Sequence, residues 1–312
     1  MGDLFNETIL ISMFAATVRI ATPLLFAALG ELITEKAGIL NLGVEGTMLM
    51  AAFSAFLVTY QTDSLWLGVL AAAATGGVMG LIMVFMVSTL KVEQVVTGLA
   101  LNLFAVGMSL YLYKVTLGES ATSFPTIDVF KTVHIPLLSS IPYIGPILFS
   151  QKLLTYLALL MVPAVWFFLY RTKWGLEIRC LGENPRVIDT KGLSVVTRQY
   201  AAVICGSMMT GLGGAFVTIG STERFVPEIT AGRGWLAIVI VIAGNWRPVW
   251  ILVAALVFAF LEAFQLQVQA IGVQMPYQVL LALPYVVAIL VMVLNRSRSQ
   301  EPKQLGVPYF RE

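Results

Sequence analysis

The segment SLWLGVLAAAATGGVMGLIMVFMVSTL, Ser64–Leu90, carries no charged side chain. As a helix it is long enough to cross the hydrocarbon core of a bilayer, which takes about 20 consecutive apolar residues. Uncharged runs recur at Gly46–Thr62, Gln94–Tyr113, Leu153–Tyr170, Gln199–Thr222, Gly234–Trp246, Pro248–Leu261 and Ala263–Asn295. Of the 312 residues, 58% are hydrophobic and 12% charged, against about a quarter charged in an ordinary soluble domain. The fold class is therefore an all-α polytopic membrane protein, and a water-soluble one is excluded.

Nine spans are expected: Ile9–Ile33, Ile39–Tyr60, Leu65–Leu90, Gln94–Leu117, Leu153–Tyr170, Gln199–Ile219, Gly232–Asn245, Pro248–Gln267 and Pro276–Leu294. Because the seventh is short, the count ranges over about eight to ten. No basic residue precedes the first apolar stretch, so the first helix is expected to be retained rather than cleaved as a signal peptide. A single transmembrane domain over 1–295 and a cytoplasmic tail over 296–312 follow. Cys180 falls in a basic loop and Cys205 in an apolar run, different depths that argue against a disulfide.

Lysine and arginine accumulate on the cytoplasmic side of short connections. With the N-terminus outside and the C-terminus inside, thirteen cations lie inside (Lys36, Lys91, Arg171, Lys173, Arg179, Arg186, Lys191, Arg198, Arg247, Arg296, Arg298, Lys303, Arg311). Five lie outside: Lys114, Lys131, Lys152, Arg224 and Arg233. Arg19, within the first span, is expected to snorkel outward. The first four spans (about 9–117) then enter from outside and the last four (about 199–294) from inside, with 153–170 as a linking helix. That is the arrangement of an inverted-topology repeat. A faint echo accompanies it, Ala37-Gly38 before the second span and Ala231-Gly232 before the seventh.

Polar groups within these spans single out candidate sites, because near lipid they must face protein or water. Asn41 and Glu45 are four apart at the start of the second span, which on a continuous helix places them on one face. They could point into a transport route, or cap the helix at the interface. Gln94 and Asn102, eight apart on the fourth span, also share a face and could line a route or bond between helices. Glu262, Gln265 and Gln269 form a further stripe near an outer end, where water alone explains them. Four prolines disfavour regular helix in the outer loop Gly118–Lys152. In the inner loop Arg171–Arg198, Asn184 suits an N-cap, Pro185 the first helical position and Gly192 the position past the end. A short helix of about two turns is predicted there, a natural handle for a soluble partner.

Catalytic chemistry is missing from the sequence. The lone histidine, His134, forms no zinc motif, no span contains an aspartate, and no Gly-x-x-x-x-Gly-Lys-Ser/Thr loop is present. The chain is expected to be no enzyme and to hold no cofactor or metal, and any ATP must be hydrolysed elsewhere.

Five stretches together resemble a known family: Ala21-Thr22-Pro23-Leu24-Leu25, Gly38-Ile39-Leu40-Asn41-Leu42-Gly43-Val44-Glu45-Gly46, Gly175-Leu176-Glu177-Ile178-Arg179, Gly182-Glu183-Asn184-Pro185 and Thr230-Ala231-Gly232-Arg233-Gly234. The chain is similar to permeases of the branched-chain amino acid, simple-sugar and nucleoside group of ABC importers, and its Asn-Leu-Gly-Val-Glu-Gly form looks most like the nucleoside and sugar branch. The resemblance implies a multi-pass protein of a prokaryotic inner or plasma membrane, working by alternating access. It implies a second permease subunit, identical or paralogous, two cytoplasmic ATPase subunits that hold ATP and Mg, and an extracytoplasmic solute-binding protein. It also implies a coupling helix over Glu183–Gly192, with Glu183, Asn184, Pro185, Arg186, Val187, Ile188, Asp189 and Gly192 at the ATPase contact. Asn41, Glu45, Gln94 and Asn102 are the candidate substrate-pathway residues. The solute expected is a nucleoside; a simple sugar, a branched-chain amino acid, or an ion-coupled secondary transporter are the alternatives.

Overall fold

A computed structural model describes residues 7–118, 125–136, 139, 141–270, 277–295 and 300–310. In chain order its helices are α1 (Glu7–Lys36), α2 (Val44–Thr62), α3 (Leu65–Val84), α4 (Gln94–Leu117), α5 (Ile144–Leu148), α6 (Leu153–Arg171), α7 (Lys173–Glu183), α8 (Arg186–Thr190), α9 (Val195–Val217), α10 (Arg233–Ala243), α11 (Pro248–Ala270) and α12 (Tyr277–Asn295). Phe85–Thr89 and Thr218–Thr222 continue α3 and α9 as π-turns. Among the described residues, six helices are long and apolar enough to cross a membrane: α1, α3 with its π-turn, α4, α6, α9 with its π-turn, and α11. The protein is thus an all-α, multi-pass membrane protein.

Helix α1 lies at the centre. Ala21 and Leu24 through Leu29 are buried all round, as expected of a helix that is apolar on every face. It packs against α9, α11, α10 and α6, while α9 also packs on α2 and α3. The α1–α9 crossing needs small residues: a Cβ on Gly206 would lie 2.5 Å from the Gly30 carbonyl oxygen and 2.4 Å from Thr34 Oγ1. Such close backbone approach is how helices associate without a hydrophobic driving force between them.

Four sequence expectations are corrected. The second span does not become helical until Val44, because residues 37–43 form a turn around Gly38 (φ +85°). Asn41 therefore stands ahead of the helix, not on a helical face with Glu45. The inner segment after Arg171 is not a loop with one short helix: Thr172 Oγ1 accepts the Gly175 N–H at 3.0 Å and starts α7, whose Ile178 and Leu181 are buried. Glu183 ends α7, and the short helix α8 is only Arg186–Thr190. The outer loop holds an antiparallel pair, β1 (Thr132–His134) with β2 (Ser150–Lys152), in register at Val133 and Gln151, and the single turn α5. Of the tail, Arg296, Arg298 and Arg311 lie outside the described residues, as does part of the outer loop. Both cysteines are free.

Candidate functional site

Residues 37–43 interrupt the chain inside an apolar bundle, where every main-chain N–H and C=O must find a partner. Side chains supply them. The Glu31 carboxylate accepts the Asn41 N–H at 3.0 Å and Gln94 Oε1 accepts the Leu40 N–H at 2.7 Å. Asn102 acts twice, accepting the Gly46 N–H at 2.8 Å and donating to the Leu42 carbonyl at 2.8 Å. Asn41 closes its own turn, Oδ1 accepting the Gly43 N–H at 2.9 Å. Glu31, Asn41, Gln94 and Asn102 are all buried. The shared face of Gln94 and Asn102 is real, and it is turned onto the 37–46 main chain.

Glu45, one turn further on, faces the other half of the chain. Its carboxylate accepts the Thr230 hydroxyl at 2.5 Å, the Gly232 N–H at 2.9 Å and the Gly234 N–H at 2.6 Å. It thus sits on the N-terminus of α10, where unpaired amides and the helix dipole favour an anion. The approach is close enough that a Cβ on Gly234 would meet Glu45 Cα at 2.5 Å. Arg233 turns the opposite way and pairs with Glu262 on α11 at 2.7 Å. The start of α10 is therefore pinned between α2 and α11, and the stripe residue Glu262 has a protein partner rather than water alone.

A third junction lies where α10 turns into α11. Trp246, buried, donates its indole N–H to the Glu35 carboxylate on α1. Asn245 and Trp246 both hold left-handed backbone, so this corner is tight. Glu31 and Glu35 were not among the sequence candidates, since spans were read by their uncharged stretches; the usable signal was two carboxylates four apart at the end of an otherwise apolar helix.

On the face formed by Lys36, α7 and α8, Asn184 Oδ1 accepts the Arg186 N–H at 3.1 Å and Gly192 follows α8 at φ +73°. Gly192 stands just past the helix end as the sequence suggested, whereas Pro185 rather than Asn184 occupies the cap position and the helix begins at Arg186. The two apolar residues of α8 part company: Ile188 is 2% exposed and joins the main core, while Val187 is 40% exposed. Asp189 accepts the Tyr309 hydroxyl at 3.0 Å.

At the opposite end a cavity of about 710 Å³ opens beside Thr59, Tyr60, Asp63, Asp128, Lys131 and Glu223. Nearby, Lys152 donates to the Gly220 carbonyl. Burial, then the neighbouring Arg19, hold its ammonium below the usual lysine range, against the pull of Glu223. Arg19 is exposed. No cluster of metal-ligating side chains occurs among the described residues.

A long buried helix at the centre of an apolar bundle, and main-chain breaks whose polar groups are satisfied internally, are features of a polytopic membrane protein. A family model for the branched-chain amino acid transport system / permease component matches residues 13–295, and the chain belongs to that family. It is 42% identical over 257 residues to the putative glucose ABC transporter permease protein TsgC13 of Haloferax volcanii, covering 82% of this chain and 78% of the relative. It is 32% identical to the guanosine ABC transporter permease protein NupQ of Bacillus subtilis, covering 95% of each chain. To the nucleoside ABC transporter permease protein NupC of Lactococcus lactis it is 30% identical, covering 93% of this chain and 94% of the relative. Weaker similarity extends to NupP and NupB, named for the same solutes in the same two organisms. No solved structure matches the chain.

Proposed function

We propose that this permease is the translocating subunit of an ATP-driven importer for nucleosides, working beside a paralogous second permease, two cytoplasmic ATPase subunits and an extracytoplasmic binding protein. The observation that carries the solute is the match to the guanosine and nucleoside permeases from end to end. A simple sugar is the second reading, favoured by the higher identity to the glucose relative. The occurrence of NupQ with NupP, and of NupC with NupB, supports a paralogous rather than identical partner. An uncharged solute with hydroxyls and ring nitrogens suits a bundle whose buried polar groups are mostly neutral.

In this reading the chain crosses nine times with its C-terminus inside, and its halves form an inverted repeat. Support comes from the echo at Ala37-Gly38 and Ala231-Gly232: both glycines are left-handed, at φ +85° and +83°. Asn41, Glu45, Gln94 and Asn102 then serve the route by holding the two interrupted segments in register, and α8 meets the ATPase.

The test is reconstitution in liposomes with the ATPase and binding-protein subunits, followed by uptake of labelled guanosine, glucose and leucine. ATP-dependent guanosine uptake is expected. Glucose uptake in its place replaces the solute, and uptake driven by a proton gradient without ATP overturns the mechanism. For orientation, an impermeant maleimide on intact cells should label Ser123→Cys but not Ser299→Cys, both outside the described residues; the reverse inverts the topology.

A further inference from the structure

The segment 300–310 is polar enough to read as a solvated tail, yet it is fastened at four points across the face that carries α8. The Gln300 N–H reaches Asn245 Oδ1 at 2.7 Å, beside the α10–α11 corner. The Gln304 N–H reaches the Gly182 carbonyl at 2.8 Å at the end of α7, and the Gly306 N–H reaches the Gly38 carbonyl at 3.2 Å in the α1–α2 turn. The Tyr309 hydroxyl donates to Asp189 of α8. Pro302 is buried, and Leu305 and Tyr309 pack on the main core. This is a strap.

What the strap leaves outside is as specific as what it buries. Val307 is 50% exposed and Phe310 64%, and Val187 of α8 is 40% exposed. Tyr309 and Phe310 form a partition: on one side they wall a groove of about 340 Å³ with Asn184, Pro185 and Arg186, on the other a groove of about 490 Å³ with Lys91 and Ser194. The Lys91 ammonium lies 5.8 Å from the Phe310 ring centroid. Lys191, at the end of α8, and Lys303, within the strap, are also exposed. Of the nearby acids, Asp189 accepts the Tyr309 hydroxyl, while Glu183 and Glu301 are exposed. An apolar ridge with a groove on either side and a lysine rim fits a cleft with apolar walls and an acidic lip.

We propose that the C-terminal strap is half of the ATPase docking surface: the ATPase subunit grips the ridge of α8 and residues 307–310, touching Val187, Val307 and Phe310 and setting acidic groups against Lys91, Lys191 and Lys303. This rests on the reading that α8 meets the ATPase, and extends it to a segment more than a hundred residues away. Charge complementarity of this kind sets partner choice and association rate. Because the strap also holds the Gly38 carbonyl and Asn245, displacement of the ridge would pull on the α1–α2 turn and the α10–α11 corner together.

The experiment uses the full chain, co-expressed with its ATPase subunits and purified in nanodiscs. The retained ATPase is identified by the mass spectrum of its nucleotide-binding loop. Phe310→Asp and Val187→Asp should each lower retention at least tenfold with the unfolding temperature unchanged, and Phe310→Tyr should restore it. Benzoylphenylalanine at position 310 should cross-link to the ATPase. If Val187→Asp releases the ATPase while Phe310→Asp keeps it, the strap is overturned and the α8 reading stands. If both variants keep it, both fall. A cross-link from position 310 to anionic phosphatidylglycerol alone, or ATPase loss that tracks a lower unfolding temperature, also overturns the proposal.

Discussion

Replacing Glu45 by glutamine keeps the volume at the α2–α10 contact and removes the charge. One amide oxygen can still accept, but the amide nitrogen must then face the Gly234 N–H or the Gly232 and Thr230 donors, donor against donor. The lost attraction between carboxylate and helix N-terminus is worth about 0.3–1 kcal/mol, and up to about 2 when partly buried. Leaving one buried N–H unpaired adds about 1–3 kcal/mol. Together the start of α10 loses about 2–4 kcal/mol of its attachment to α2, so its released form becomes about thirtyfold or more populated. Hydrogen exchange of the purified variant in nanodiscs reads this directly: amides across residues 230–236 should exchange about thirtyfold faster or more, while those of α3 do not change. Thr230→Val removes one donor and leaves both amides satisfied, so its effect should be several times smaller. Unchanged exchange at 230–236 in Glu45→Gln would refute the clamp.

The remaining predictions concern packing, docking and pH. Ile188→Asp places a charge in the core where Ile188 is buried; loss of that side chain alone costs about 2–5 kcal/mol, so the solubilised protein should unfold at a clearly lower temperature, whereas Val187→Asp should not. Gly206→Ala drives a methyl into the Gly30 carbonyl and Thr34, an overpacking worth about 1–3 kcal/mol and visible as a lower unfolding temperature; an unchanged value would mean the crossing is looser than described. Lys152 is held below its usual 10.5 in the fold, so the unfolded chain binds the proton more tightly and stability should rise as pH climbs from that lowered value towards 10.5, with the penalty fully present at lower pH. Lys152→Met should flatten that part of the curve of unfolding temperature against pH, and an identical curve would dismiss the lysine as its source.

The bundle was legible because lipid imposes a simple rule: charge is excluded over the length of each crossing, so Ser64–Leu90 and its counterparts announce themselves. Asn184 and Gly192 were legible for a similar local reason, as they act on main chain within a few residues. What escaped depended on partners distant in sequence. The turn at 37–43 looks like the first turn of a helix until Glu31, Gln94 and Asn102 are seen to supply its missing bonds. Glu35 and Trp246 are 211 residues apart, and no spacing rule links them. Helix α7 was hidden by a narrow apolar face, Ile178 and Leu181, inside a charged segment. The strap was hidden because three of its four fastenings are donated by main-chain amides, which every sequence has.

The Gly306 to Gly38 bond and its neighbours carry a practical lesson for handling the protein. An affinity handle inserted directly after Phe310 would lie between the two grooves, where it would crowd any subunit arriving from solution. Removing the last dozen residues would be no gentler, since the Gly182 and Gly38 carbonyls would lose their donors. The first residues of α1 stand a full helix length away from that ridge, so purification, labelling and immobilisation are better begun from that end.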